Sequence, residues 1–323
     1  MDVELVRIRR AGRVESVHRG HAVICDGAGA VVEAWGDPGA LVFPRSSCKM
    51  IQALPLVESG AAAGLSPRHL ALACASHGGA PIHVALARDW LGALGLGEDA
   101  LACGAHRPYD QDAADALVRA GAAPGRAHNN CSGKHCGFLM LGRHLQAGAD
   151  YVDPDHPVQR AVRAAFEDVT GMESPYWGVD GCSAPNYATR LDALAGAMGR
   201  FARPGDGARG AAMARLVGAM TAHPELVAGE GRACTELMRA MKGRVAVKTG
   251  AEAVYVAIAP ELDRGIAIKV SDGATRAAEA LIATLLVRIG ALDAAAPVAR
   301  RLSEGPLKNY AGIETGRIEV ALP

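Results

Sequence analysis

Two stretches of strand-like sequence, one towards each end of the chain, enclose a long middle that reads as helix. No other feature constrains the fold as strongly. Residues 14–36 (VESVHRGHAVICDGAGAVVEAWG) alternate apolar and polar around Asp26-Gly27, the pattern of a β-hairpin. After 244, RVAVKTGAEAVYVAIAP and GIAIKVSDG are alternating β-branched runs joined by Leu262-Asp263-Arg264-Gly265, a second hairpin, and GRIEVAL offers a last strand. Between them lie about 180 residues of Ala-rich, helix-patterned sequence. Predicted helices cover 47–60, where Pro55 demands a kink, then 67–76, 81–95, 111–121, 136–148, 157–169, 186–200 and 209–221, with an apolar helix at 274–292. Strands at both ends pair most simply into one antiparallel sheet built from the two termini and flanked by helices, an α+β fold. With no repeat, low-complexity tract or linker, the expectation is one domain over 1–323, its sheet lobe at about 1–60 and 240–323 and its helical lobe at about 61–239.

Charge narrows the function classes. Thirty-four basic residues balance 34 acidic ones, which argues against nucleic-acid or membrane-surface binding. The apolar stretches are interrupted well short of a membrane span, and the first twenty residues lack the apolar core of a signal peptide. Eight cysteines in a large chain of this kind then suggest reduced thiols and a cytoplasmic protein. Only six basic residues are lysines, against 28 arginines. Arginine cannot act as a base, so a lysine kept inside a motif marks a group that can lose its proton. Lys49, Lys134 and Lys248 all lie in such motifs.

Ser46 and Lys49, in RSSCKMIQALP, follow a Phe43-Pro44 turn at the start of an apolar helical run. Three residues apart, they share a helix face, and a hydroxyl beside an amine at a helix start is a workable nucleophile and base. Alone, the same residues serve equally as a helix cap and a surface charge. Lys248-Thr249-Gly250 ends a predicted strand, and with Ser46-x-x-Lys49 it gives, in the required order, the Ser-x-x-Lys and Lys-Thr-Gly pairing of serine β-lactamases and penicillin-binding proteins. Ser76-His77-Gly78-Gly79 reads as a helix end whose serine could approach Lys248. Two cysteine-bearing segments are chemically dense, His128–Gly137 (HNNCSGKHCG) and Asp180–Asn186 (DGCSAPN). Cys131 and Cys182 could ligate a metal with His135, Cys136 or Lys134 as third donor, although this is not structural-zinc spacing. Buried thiols and a reactive cysteine are the other readings. His223–Arg232 is a Gly-flanked polar loop entering a helix that carries Cys234, and Arg232 or Arg45 could clamp a carboxylate.

Together RSSCKMIQALP, ACASHGG, NNCSGKHCGFL, VDGCSAPNYA, HPELVAGEGR and VKTGAEAVY resemble the asparaginase II family, the rhizobial-type L-asparaginases, in order from about residue 15 onward. The resemblance implies a fold similar to serine β-lactamases and hydrolysis of L-asparagine to L-aspartate and ammonia. It implies Ser46 as nucleophile with Lys49 as base, Ser76 and Lys248 as a second Ser–Lys couple, and Arg45, His135, Asp180 and Cys234 near the substrate. It also implies zinc on Cys131, Lys134 and Cys182, and a homodimer. Three rivals are a zinc-dependent amidohydrolase, a non-catalytic amino-acid-binding module, and a β-lactam hydrolase or peptidase.

Overall fold

The structure, a computed structural model, describes residues 1–322. They form two compact units. One takes Met1–Ser47, Thr189–Arg203 and the chain from Glu236 onward, and the other takes Cys48–Ala188 and Pro204–Thr235. The boundary in the N-terminal part thus falls at 47/48, inside the Ser46-x-x-Lys49 motif.

The first unit holds an eight-stranded sheet, and every pairing in it is antiparallel. Its strands run in the order Pro306–Lys308, Glu314–Val320, Val3–Arg10, Arg13–Asp26, Arg264–Val270, Val254–Ala259, Ala246–Thr249, with Val31–Trp35 paired to Arg13–Asp26 off this path. Both predicted hairpins are present, and the last predicted strand pairs with the first strand of the chain through Val6↔Val320 and Ile8↔Ile318. The sheet therefore comes from both termini, as the α+β reading expects. Val3–Arg10 is a strand that the sequence reading does not include. It joins Arg13–Asp26 through Ala11 (φ 47°) and Gly12 (φ 76°), two positive-φ residues of the kind a tight hairpin prefers.

The long strand Arg13–Asp26 uses its halves differently. Residues up to Gly20 pair with Val3–Arg10, and Gly20–Asp26 pairs with Arg264–Val270. At the centre of the sheet, consecutive residues such as Ala22–Cys25 and Val254–Ala259 are all buried, so both faces are covered. One cover is helix Leu191–Ala202. A Cβ on Gly265 would lie 2.1 Å from Gly199 N, and one on Gly199 would lie 2.0 Å from Asp26 O. Glycine at both positions is what lets the helix backbone rest on the strands. The predicted helix over 186–200 is corrected here: Pro185–Tyr187 is a strand, and the helix starts at Leu191 and belongs with the sheet.

The second unit is mainly helical, with Pro67–Ala73, Pro81–Ala93, Gln111–Arg119, Ser132–His144, Pro157–Thr170 and Gly207–Ala222 close to prediction. Proline opens three of them, where its missing N–H has no intrahelical partner to lose. The predicted 47–60 helix breaks at Ala53 into Lys49–Gln52 and Leu54–Glu58, with Pro55 in the first turn of the second. Helix Ser132–His144 starts four residues earlier than predicted, which places Lys134 and His135 on its first turn. Among the described residues no helix is long and apolar enough to cross a membrane.

Candidate active site

In the sheet unit, Ser46 sits in the tight 3-10 turn Arg45–Cys48. Both the backbone N–H (3.1 Å) and the hydroxyl (2.7 Å) of Ser47 donate to Pro44 O, closing the turn. Arg45 is left-handed (φ 53°), a conformation that costs a non-glycine residue energy and concentrates at functional sites. Strand Ala246–Thr249 ends against this turn. A Cβ on Gly250 would lie 2.6 Å from Pro44 O and 3.1 Å from Ser47 N, so glycine in Lys248-Thr249-Gly250 permits the approach. Lys248 is buried, and its Nζ donates to Thr249 O at 2.6 Å. Ser46 and Arg45 are half-buried. The Ser46 turn and the Lys-Thr-Gly strand end are thus neighbours in this unit.

In the helical unit, Lys49 is wholly buried at the start of Lys49–Gln52. Its Nζ donates to Ala75 O, to Ser76 Oγ at 3.1 Å and to Cys131 Sγ at 3.1 Å. A buried amine needs such partners, because leaving it unpaired costs far more than a hydrogen bond returns. Gly133 sets up the meeting: a Cβ there would fall 2.3 Å from Leu72 O, so glycine brings the first turn of Ser132–His144 onto the end of Pro67–Ala73. Cys131, just before that helix, donates its N–H to Asn129 Oδ1 at 2.9 Å, and Asn129 Nδ2 is anchored on Cys103 O (2.7 Å) and Gly104 O (3.0 Å). Ser76 N–H donates to Val227 O at 2.9 Å, which fixes the loop after His223 beside the serine.

Lys134 Nζ lies 3.0 Å from Cys182 Sγ. Cys182 is held on a tight loop in which Asp180 N–H donates to Ala184 O and Ser183 N–H donates to Asp180 O, both at 2.9 Å. The neighbouring Cys131 side chain, reinforced by the Lys134 charge, holds Cys182 far below the usual thiol range. The closeness of Cys182, together with burial, pushes Cys131 well above it, and the Cys131 Sγ–H donates to Asn130 Oδ1 at 2.9 Å. Burial pulls Lys134 down, but the Cys182 and Cys131 sulfurs and the charge of Asp180 outweigh it, and the ammonium is favoured. The two sulfurs are thus shifted in opposite directions, with the lower one beside the Lys134 charge.

His135 stands beside this couple. Ala102 N–H donates to Tyr151 Oη (2.7 Å), so the tyrosine hydroxyl is left to donate to His135 Nδ1 (2.8 Å). The imidazole proton is then on Nε2, which is buried without a hydrogen-bond partner at ordinary distance and has the Cys182 sulfur as a charged neighbour. Burial, aided by the Lys134 charge, lowers the His135 pKa to about 4 and keeps the ring neutral. Among the described residues no group of three or more His, Cys, Asp and Glu side chains is set up to hold a metal ion, so a metal here needs Lys134 as a donor. Two sulfurs and an amine, with Lys134 Nζ 3.0 Å from Cys182 Sγ and Cys131 as their electrostatic neighbour, form a soft donor set that fits zinc. Cys136 is not part of it, since its sulfur turns to Ala87 O at 3.7 Å.

Lys49, Ser76, Cys131, Lys134, His135, Asp180 and Cys182 thus converge within the helical unit. Cys234 is buried on helix Ala233–Ala240, next to Thr235, whose hydroxyl ties down Pro224 O (3.0 Å) and Gly229 O (2.6 Å). Sequence reasoning misses Tyr151 and Asn129, which orient His135 and Cys131. Asn129 lies inside the cysteine-bearing motif HNNCSGKHCG, whereas Tyr151 carries no local signal beyond being a buried tyrosine in a polar loop.

Compared with known proteins, residues 6–320 match the model of the family described as L-asparaginase II. No curated protein matches the chain significantly. Among solved structures, the chain is similar to a β-lactamase from Mycobacterium bovis at 14% identity, over 84% of this chain and 94% of that one, with a TM-score of 0.42.

Proposed function

The chain belongs to the L-asparaginase II family, and from that premise we propose that it hydrolyses L-asparagine to L-aspartate and ammonia through a Ser–Lys acyl-enzyme. In this reading Ser46 attacks the side-chain amide carbon and Lys49 takes the hydroxyl proton. Backbone N–H groups of the turn steady the tetrahedral oxyanion, ammonia leaves with a returned proton, and water cleaves the β-aspartyl ester. Ser76 and Lys248 serve as the second Ser–Lys couple, and Arg45, His135, Asp180 and Cys234 are assigned to the substrate.

One observation carries the reading: Lys49 is a buried amine poised on a serine hydroxyl, that of Ser76 at 3.1 Å, a placement that supports Ser–Lys chemistry. The short chain between Ser46 and Lys49 adds support, and so does the Lys-Thr-Gly strand end against the Ser46 turn. Cys131, Lys134 and Cys182 would hold zinc, which when bound supplies a fixed positive charge for the amino-acid end of the substrate. Loading requires Lys134 to give up a proton, so zinc uptake rises with pH. The reading takes a homodimer as the assembled form and a reducing, cytoplasmic setting, in keeping with eight buried cysteines.

The test is ammonia release from L-asparagine and L-glutamine by wild type and Ser46→Ala, with zinc supplied. Wild type should turn over asparagine, and the folded variant should lose about 10³-fold or more in kcat, as removal of a nucleophile does. A variant that keeps most of its rate moves the nucleophile elsewhere and favours the metal-dependent rival. Asparagine binding without ammonia release in wild type favours the binding module.

A further inference from the structure

We propose that His77 is a positioning residue of this site, bracketing Cys131 from both sides and so holding the Cys131 sulfur and the Ser76 hydroxyl together on Lys49. His77 is wholly buried and directly follows Ser76. Its backbone N–H donates to Asn130 O at 3.3 Å, and its Nε2 lies 2.9 Å from Ser132 Oγ. Asn130 and Ser132 are the two chain neighbours of Cys131. Gly79 N–H donates to His77 Nδ1 at 3.1 Å, so Nε2 must carry the ring proton and donate to Ser132.

The ring plane is fixed as well. It stacks on His83 with centroids 4.7 Å apart and planes 8° apart, and His83 donates from Nε2 to Glu225 O at 2.9 Å. Burial lowers the pKa of both rings, in keeping with the neutral tautomer that the Gly79 bond demands of His77. One side chain therefore joins the serine segment to the cysteine segment around the amine they share. Only a side chain that accepts near its root and donates at its tip can make both bonds.

The inference rests on the proposed function and is separable from it. Kinetics on L-asparagine are measured for His77→Asn, His77→Gln, Ser132→Ala and the His77→Asn/Ser132→Ala double variant. Asparagine keeps the acceptor for Gly79 N–H but is too short to reach Ser132, whereas glutamine reaches Ser132. His77→Asn and Ser132→Ala should each lower kcat by about 10- to 100-fold with KM nearly unchanged, the cost of small misplacements at a reacting site. The double variant should be no worse than His77→Asn, and His77→Gln should recover most of kcat. Wild-type kcat in Ser132→Ala, or losses that multiply in the double variant, would overturn the proposal. Ser132→Ala removes a single oxygen and carries the test alone if His77→Asn does not fold. If wild type releases no ammonia, the proposed function fails, and crystal structures of wild type and Ser132→Ala decide the positioning role. Separation of Cys131 Sγ from Lys49 Nζ in the variant supports it, and a distance unchanged from wild type refutes it.

Discussion

Replacing Gly133 by alanine tests how the helical unit brings its reactive groups together. Alanine is the better helix former by about 1 kcal/mol, so propensity alone makes the change stabilising. The structure reverses the sign. The new methyl would lie 2.3 Å from Leu72 O and 2.4 Å from Leu72 Cγ, more than ~1 Å inside the roughly 3.5 Å of ordinary non-bonded contact. A backbone carbonyl cannot rotate out of the way, so the helix start must move, an overpacking cost of about 3 kcal/mol and a net loss of about 2.

Two glycines of the same helix are internal controls. Alanine at Gly142 meets Val158 Cγ2 at 3.5 Å, ordinary contact, and should stabilise by about 0.5–1 kcal/mol. At Gly137 the nearest atom is the tip of Leu56 at 3.2 Å, which can give way, and the net effect should be near zero. Urea unfolding midpoints, compared at equal m-values, rank the three variants. The expected order is Gly142→Ala above wild type, Gly137→Ala beside it and Gly133→Ala well below. A Gly133→Ala protein as stable as Gly142→Ala would refute the close-approach account of how Cys131 reaches Lys49.

Other perturbations read other parts of the site. Tyr151→Phe strands the Ala102 N–H and His135 Nδ1 in a buried setting and should cost about 1–3 kcal/mol in urea unfolding; an unchanged midpoint would contradict the relay. Lys49→Met fills the buried volume without the amine and should cut ammonia release by about 10³-fold, whereas a rate within tenfold of wild type would take Lys49 out of the proton transfer. His77 and His83 both have pKa values lowered from 6.5 by burial. The unfolded chain then binds protons that the native rings refuse, so stability is intact above about pH 6.5 and falls as pH drops. Equal urea midpoints at pH 7.5 and 5.5 would contradict this. If zinc occupies the proposed site, Cys182→Ser removes one of its two soft donors and should bind far less zinc than wild type, measured by metal analysis after dialysis; equal zinc in both proteins would remove Cys182 from the set.

The sheet is legible in the sequence because its strands alternate cleanly and its turns carry Gly, Asp and Asn. Val3–Arg10 alternates too, yet half of VELVRIRR is charged, and two of those charges find partners across the sheet, where Arg7 and Arg9 meet Glu319. Sequence pattern puts helix Leu191–Ala202 in the helical lobe because periodicity reports an apolar face and not what covers it. The local clue is the small-residue face, with Gly199 seated on Asp26. The site residues are legible as motifs, since each needs an uncommon residue type at a set spacing. Their pairings are less so. Spacing offers Ser76 as a partner for Lys248, and within its unit its hydroxyl accepts from Lys49. That hydrogen bond depends on how closely Gly133 lets two helices approach, which one-dimensional spacing does not record.

The pairing of the first strand with the last has a consequence for synthesis. Arg7 and Glu319 are 312 positions apart, so at ribosomal rates of ~5–20 residues per second, strand Val3–Arg10 emerges roughly 15–60 s before its second partner exists. Its hairpin with Arg13–Asp26 can form at once, but its other edge stays open until Glu314–Val320 has been made. Closure of the sheet therefore waits on that late strand, and a message truncated before Glu314 would release a chain with a permanently unpaired strand edge, a template for self-association.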